Sequence, residues 1–467
     1  MSRIDRSRLP TPGPELPFRF PRIARRVLGN GLELRAVTHR SVPVATAVLL
    51  VRGGSSVDPA DRPGLTSITT GLLDEGSRGQ SALDVADRLA RIGGDFDLEV
   101  GSDAIVMSLT TLDRFVEEAL GLLHDMVTAP NLASDDFDRT RKLRLERIRQ
   151  LKDHPPAMAE RAFVRQLYSP HAYGHLSIGD EMSLTAATVE ESRALHATLF
   201  TPEGSTFVIV GDRSEDALLD RVTEVFDRWP VSPANATIDR SAALASPPAE
   251  PMARLGVVRR DGATQSELRI GRVCASRSTP DYHALLALNA ILGGQFVSRL
   301  NMNLREDKGY TYGVRTAFEL RRGRGPFVVQ TSVATDRTAA AIHEALTEIR
   351  DIGSTRPATT DELTMAKASL GRGYPRAFET ANQVARSVAQ LALHGLPDTY
   401  FEEFVPRLDA VTIDDVTRVA RQYLDLSTMA TLIVGDLDRI GASLKALELG
   451  DVVLFDEERS QKLEART

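Results

Sequence analysis

A single cysteine, Cys274, stands in a chain of 467 residues. That excludes a disulfide framework and any structural zinc site built on cysteine. No apolar run approaches the roughly 18 residues that a membrane-spanning helix requires. Positive charge is not in excess: 57 Lys and Arg face 64 Asp and Glu, for a net charge of −7. A protein made mainly to hold nucleic acid or an anionic membrane would show the opposite balance. Residues 1–18 are polar, carry Pro10, Pro12, Pro14 and Pro17, and lack the apolar stretch of a secretory signal. A cytoplasmic location is the resulting expectation. Gly293 and Gly294 look like a helix stop and are followed by no Gly-Lys-Ser/Thr, so they make no phosphate loop. No Gly-x-Ser-x-Gly surrounds Ser67, which removes it as a hydrolase nucleophile.

What is present is an ordinary globular composition, 42% hydrophobic and 26% charged, with a length that suits two generous domains or three small ones. Residues 188–212 align without gaps on residues 412–436, an offset of 436 − 212 = 224. Each segment opens on a capping-box signature, Thr188 with Glu191 and Thr412 with Asp415, and closes on an apolar run ending in Gly-Asp. A period this long excludes a solenoid and means two similar domains in tandem. The Pro-, Ala- and Ser-rich stretch 232–252 reads as the joint. The expected layout is an N-terminal extension 1–21, a domain 22–231, a linker 232–252, a second domain 253–440 and a tail 441–467.

Within the halves, strand and helix signals alternate. Residues 45–51 read as a buried strand. Ser81 caps a helix with Asp84 three residues on; Leu83, Ala86, Leu89 and Ile92 form its apolar face, and Gly93 stops it. Val116, Leu120, Leu123 and Val127 mark another helix, and Thr359 with Glu362 opens a long helical region. Cys274, in a strand-like stretch, reads as a small buried hydrophobe. The basic turn 321–325, RRGRG, reads as a solvated hairpin. His171 and His175 are four apart but flank Gly174 and follow Pro170, which fits a loop pair better than a metal site.

Three stretches carry a resemblance. Residues 30–65, NGLELRAVTHRSVPVATAVLLVRGGSSVDPADRPGL, resemble the start of the insulinase/pitrilysin-type zinc metallopeptidases, in the branch that includes mitochondrial processing peptidase. HAYGHLSIGD (171–180) is similar to the HPYG segment of that family. LGGQFVSRLNMNLREDKGYTYGV (292–314) resembles its second-domain Gly-rich stretch and Arg–Tyr motif. The resemblance implies an α+β fold of two homologous tandem α/β domains of about 200 residues each. Each would be a mainly antiparallel sheet packed with helices, together forming half of a clamshell.

The family's inverted zinc motif, His-x-x-Glu-His, places two histidines on one helical face and a glutamate beside the attacking water. In the matching stretch here Ser67 falls at the first histidine, Thr70 at the glutamate and Gly71 at the second histidine. Arg147 falls at the third ligand, a glutamate on a later helix, with Glu146 one place early. No His-x-x-Glu-His or His-Glu-x-x-His occurs elsewhere in the chain. The expectation is therefore no metal and no cofactor on this chain. Arg305 and Tyr312, 312 − 305 = 7 residues apart, match the family's Arg–Tyr pair, which holds a substrate carbonyl and donates to an oxyanion. The resemblance thus implies a zinc-free subunit of a heterodimeric metallopeptidase. A homologous partner with an intact motif would supply zinc, and Arg305 and Tyr312 would act in trans on peptide substrates. The alternative is an inert structural or peptide-binding homologue, like the core proteins of respiratory complexes. A self-sufficient enzyme of unrelated chemistry finds no catalytic constellation in the sequence.

Overall fold

The computed structural model describes residues 18–231 and 238–455. Most of the expected extension, residues 232–237 of the joint and residues 456–467 of the tail lie outside the described residues. The first sheet is built from β1 (Ala24–Val27), β2 (Glu33–Thr38), β3 (Val44–Arg52), β4 (Asp95–Val100), β5 (Ala104–Leu112) and β6 (Ser205–Gly211). Their order is β1-β2-β6-β3-β5-β4. Only β2 and β6 run parallel; the other neighbours are antiparallel. The expected strand at 45–51 is β3, fully buried at its centre because both of its faces are covered by helices. The helices that matter here are α1 (Leu65–Thr70), α2 (Ala82–Arg91), α3 (Val116–Thr128), α4 (Ser134–Lys152), α5 (Pro155–Tyr168) and α6 (Val189–Leu199).

The second sheet repeats the first. It comprises β7 (Leu255–Arg259), β8 (Gln265–Val273), β9 (Val314–Phe318), β10 (Pro326–Ala334), β11 (Ala430–Gly435) and β12 (Val452–Leu454), in the order β12-β7-β11-β8-β10-β9. Here β7 lies parallel to β11, as β2 does to β6. The edges differ. β1 adds to the first sheet antiparallel, whereas β12, from residues placed on sequence grounds in the tail, adds to the second in parallel. The helices around it include α7 (Tyr282–Asn289), α8 (Thr360–Gly373), α9 (Ala381–His394), α10 (Tyr400–Asp409) and α11 (Ile413–Tyr423). The fold is α+β with two mainly antiparallel sheets, as the sequence implies. The repeat holds at 189 + 224 = 413 for the first residues of α6 and α11, and at 211 + 224 = 435 for the last residues of β6 and β11. Both capping boxes form: each Thr hydroxyl accepts from the N–H three residues on, and each carboxylate accepts from the Thr N–H. Such caps contribute about 1 kcal/mol apiece.

The two halves exchange helices. α5 of the first half packs on β7, β8 and β11 of the second. There Phe163 and Leu167 share a core with Val258, Val328, Leu432 and Val434. Reciprocally, α9 packs on β3 and β6, where Val384 and Val388 share a core with Val37, Val48, Leu50, Val208 and Val210. The two helices are near-equivalents in the repeat, since 155 + 224 = 379 and α9 begins at 381. Each fully buried aliphatic side chain in these seams contributes about 1.5–3 kcal/mol.

Two local expectations need correction. α2 is present and its capping box forms, but Leu83 is 77% exposed and Ala86 faces water. The buried stripe is Val85, Leu89 and Ile92, because α2 lies against Leu122 and Met126 of α3. Both stripes satisfy helical spacing, and the neighbour selects between them. The 321–325 turn joins β9 to β10 as a hairpin would, yet only Arg324 of its five residues is exposed. It plugs the seam between the halves: the Arg322 N–H donates to Asp103 (2.8 Å), the Gly323 N–H to the Tyr173 hydroxyl (3.0 Å), and the Tyr168 hydroxyl to the Arg324 carbonyl (2.9 Å). The Arg321 guanidinium sits 4.9 Å from the Tyr173 ring centroid. Cys274 is buried as expected, and burial pushes its thiol up to about 12. No helix among the described residues is long and apolar enough to cross a membrane.

Candidate functional site

The helix that matches the zinc motif, α1, is short and held at both ends. Asp58, its side chain without solvent exposure, accepts from the N–H groups of Gly64 (2.7 Å) and Thr66 (2.6 Å). This places a carboxylate at the positive end of the helix. His175 donates through Nε2 toward Asp58 Oδ2 (3.1 Å) and the Ser55 carbonyl (3.0 Å), and so ties the 171–180 loop to the same point. His171 instead bonds the Ala245 carbonyl (3.0 Å), so the two histidines converge on no common ligand. Gly64 and Gly179 touch back to back. A Cβ on Gly64 would lie 2.6 Å from the Gly179 Cα, and both glycines have positive φ, +94° and +80°.

Inside this frame, Ser67, Thr70 and Gly71 come together with a cation. The Arg144 guanidinium, buried under α1, donates from Nη1 to Ser67 Oγ (2.7 Å) and from Nη2 to the Ser67 carbonyl (3.2 Å). A Cβ on Gly71 would stand 3.6 Å from Arg144 Nη2. Thr70 turns its hydroxyl back onto the Thr66 carbonyl (2.7 Å). Burial pulls Arg144 below the usual guanidinium range, and Asp58 acts in the opposite sense. Arg147, aligned with the third ligand, is exposed and bonds Gln150 (3.4 Å); Glu146 is exposed as well. The sequence did carry a signal for Arg144. Phe137, Arg141, Arg144 and Ile148 follow 4-3-4 spacing along α4, the spacing of one buried helix face. A zinc ion does not fit these residues: two hydroxyls are committed, one position has no side chain, and a guanidinium fills the space. Among the described residues, one acidic trio, Asp261, Asp436 and Asp438, lies within 4.8 Å. Asp261 and Asp438 pair with Arg259, and Asp436 caps the helix Leu437–Leu444.

Arg305 and Tyr312 share a second location. Both line a cleft of about 850 Å³ on the second half, together with Glu267, Gly294, Phe296 and Ser332. Its lining contains no residue of α1 or α4. Arg305 lies on the irregular helical turn Met302–Asp307, stacked 3.5 Å from the Phe296 ring centroid and bonded to Glu306 (2.9 Å). Tyr312 is 94% exposed, with no hydrogen-bond partner among the described residues. Asn301, which sequence reasoning missed, clamps the loop by bonding both the N–H and the carbonyl of Val314 (2.9 Å each). Glu267, at the cleft wall, is no free base. It pairs with Arg269 and accepts from Ser332. The cleft lining therefore holds two cations, Arg305 and Arg315, beside the exposed Tyr312 phenol.

Two family models match the chain: Insulinase (Peptidase family M16) over residues 35–180 and Peptidase M16 inactive domain over residues 186–370. An uncharacterized zinc protease of Mycobacterium tuberculosis is 26% identical over 407 residues, 86% of this chain and 90% of the relative. The non-peptidase homolog YmxG of Helicobacter pylori is 19% identical over 431 residues, 87% of this chain and 96% of its own length. In three dimensions, a peptidase M16 inactive domain from Pseudomonas fluorescens superposes with a TM-score of 0.82 and 26% identity, covering 89% of this chain and 98% of that one.

Proposed function

This chain belongs to the insulinase family, peptidase family M16, and from that membership we propose that it is a zinc-free subunit of a two-chain metallopeptidase. One observation carries the reading. The motif helix is closed by a buried guanidinium on Ser67, while Arg305 and Tyr312 stand at an open cleft. A homologous partner with intact His-x-x-Glu-His would supply the metal and its water. This chain would supply Arg305 to hold the peptide carbonyl and Tyr312 to donate to the oxyanion. The exposure of Tyr312 supports this, because a donor acting in trans must face away from its own chain. The chain would lack peptidase activity by itself. The cleft lies on one half of the chain and the closed motif on the other, which suits a chamber completed by a second clamshell half.

The non-hydrolytic reading rests on a different observation: Arg305 is already engaged by Glu306 and Phe296, and one relative is named a non-peptidase homolog. Peptide cleavage by the chain alone with added zinc, beside the homologous chain that co-purifies with it, separates the two. Silence alone and cleavage in the pair supports the trans-acting subunit, with Tyr312→Phe lowering turnover by about 10²-fold at unchanged assembly. Silence in both, or unchanged turnover in the variant, refutes it. Zinc-dependent cleavage by the chain alone refutes both readings.

A further inference from the structure

A second pocket, of about 380 Å³, lies away from both locations above, where the end of β9, the start of α7, α9 and α10 meet. Its walls are aromatic, with Tyr282, Tyr374, Phe378, Tyr400 and Phe404 among them. The Tyr374 ring stacks on Phe404 at 4.0 Å between centroids. Arg277 is set into these walls, its guanidinium 3.5 Å from the Tyr282 centroid and 4.9 Å from that of Tyr400. It donates through Nη2 to the Tyr400 hydroxyl. No carboxylate pairs with Arg277 among the described residues. The Tyr374 hydroxyl is buried without a hydrogen-bond partner.

Positive charge prevails around it. Two histidines border the pocket, His394 in its lining and His283 behind Tyr400 and Phe404. Burial, with Arg277, Arg322 and Arg407 nearby, holds both down at about 4, so both are neutral at pH 7. Asp103 is the one acid felt at His394, and its oxygens are taken by the Tyr173 hydroxyl and the Arg322 N–H.

We infer that this pocket binds a small aromatic monocarboxylate, its carboxylate on the open N–H edge of Arg277 and its ring between the aromatic walls. A guanidinium matches a carboxylate in a two-point fork. An isolated arginine with no second cation in the lining suits one negative charge better than the several of a phosphate ester. The volume suits one or two fused rings and not a peptide chain. The ligand balances the single uncompensated charge and presents an acceptor to the idle Tyr374 hydroxyl.

Isothermal titration of the full chain with indole-3-acetate, against indole-3-acetamide as its neutral isostere, tests this. The acid should bind at least tenfold tighter than the amide. Arg277→Gln should weaken the acid about tenfold or more, the range for a lost charge-assisted bond, and leave the amide unchanged. Ser387→Trp, which fills the pocket with Arg277 in place, should abolish both while the melting temperature stays near that of the parent. A tripeptide ending in phenylalanine should bind at least tenfold weaker than indole-3-acetate; equal binding would overturn the assignment to a small free acid. So would no heat from indole-3-acetate up to about millimolar concentration, the weak end of specific binding, equal affinity for acid and amide, or binding that survives Ser387→Trp.

Discussion

Refitting the two histidines of the motif, Ser67→His with Gly71→His, should fail to create a zinc site unless Arg144 is also changed. The positions themselves are permissive: Gly71 has φ −68°, and a Cβ there meets its neighbours at 3.4 Å or more. The obstacle is charge. Arg144 Nη2 stands 3.6 Å from where that Cβ would be, which brings a dication held by the two introduced imidazoles to about 6 Å from the guanidinium. A unit charge and a dication at about 6 Å, with an effective dielectric of about 20, repel by about 5.5 kcal/mol, or about four decades in affinity. If the guanidinium, released from Ser67, swings to twice that distance, about two decades remain. The assay is competition with a chromophoric chelator for zinc, with cobalt(II) absorption reporting tetrahedral nitrogen ligation. S67H/G71H should show no competition, S67H/G71H/R144M should bind weakly, and S67H/G71H/R144E should bind tightest. Equal zinc affinity for the first and third, both folded by circular dichroism, would refute the argument that Arg144 closes the site.

Three further outcomes follow from packing and charge. Tyr173→Phe strands Asp103 Oδ1 and the Gly323 N–H in the seam and should cost about 1–3 kcal/mol in urea unfolding; an unchanged midpoint would deny the plug its role. His283 is buried, its Nε2 has no partner, and its folded-state pKa is lowered to about 4 from 6.5. The unfolded chain therefore binds the proton first, and stability falls as pH drops from 6.5 toward 4. His283→Leu should melt progressively higher than the parent across that window, and a constant difference would contradict the neutral buried imidazole. Gly64→Ala combines a positive φ with a 2.6 Å approach to Gly179 and should destabilise by roughly 3 kcal/mol or more, read as a lowered midpoint.

What could be read from the chain depended on how local the cause was. The capping boxes at Ser81, Thr188, Thr359 and Thr412 form from residues three apart, so the letters suffice. The 224-residue repeat followed from them, and with it the paired sheets. Phase and burial were less legible. Whether Leu83 or Val85 turns inward on α2 depends on α3, and the fate of RRGRG depends on tyrosines some 150 residues away in sequence, as for Gly323 and Tyr173. Counting residues along the family motif pointed to Arg147, whereas helical phase around Phe137 and Ile148 brings Arg144 beneath Ser67. Arg305 and Tyr312 line one cleft, but the Asn301 clamp and the Phe296 platform lacked any motif. The helix exchange left no trace, since the sheets that α5 and α9 cover belong to the other half of the chain and no motif marks the pairing.

That exchange sets a timetable for synthesis. The first sheet is complete once Gly211 has left the ribosome, but α9, which covers one of its faces, begins at Ala381, 381 − 211 = 170 residues later. At about 5–20 residues per second this is roughly 9–34 s. Throughout that interval Val37, Val48, Leu50, Val208 and Val210 form an apolar strip with no cover of its own. The nascent chain therefore passes through a stage in which half of its finished architecture is also its stickiest surface. Shielding during that interval, by a chaperone or by slow pairing with another chain, becomes part of how this fold is reached.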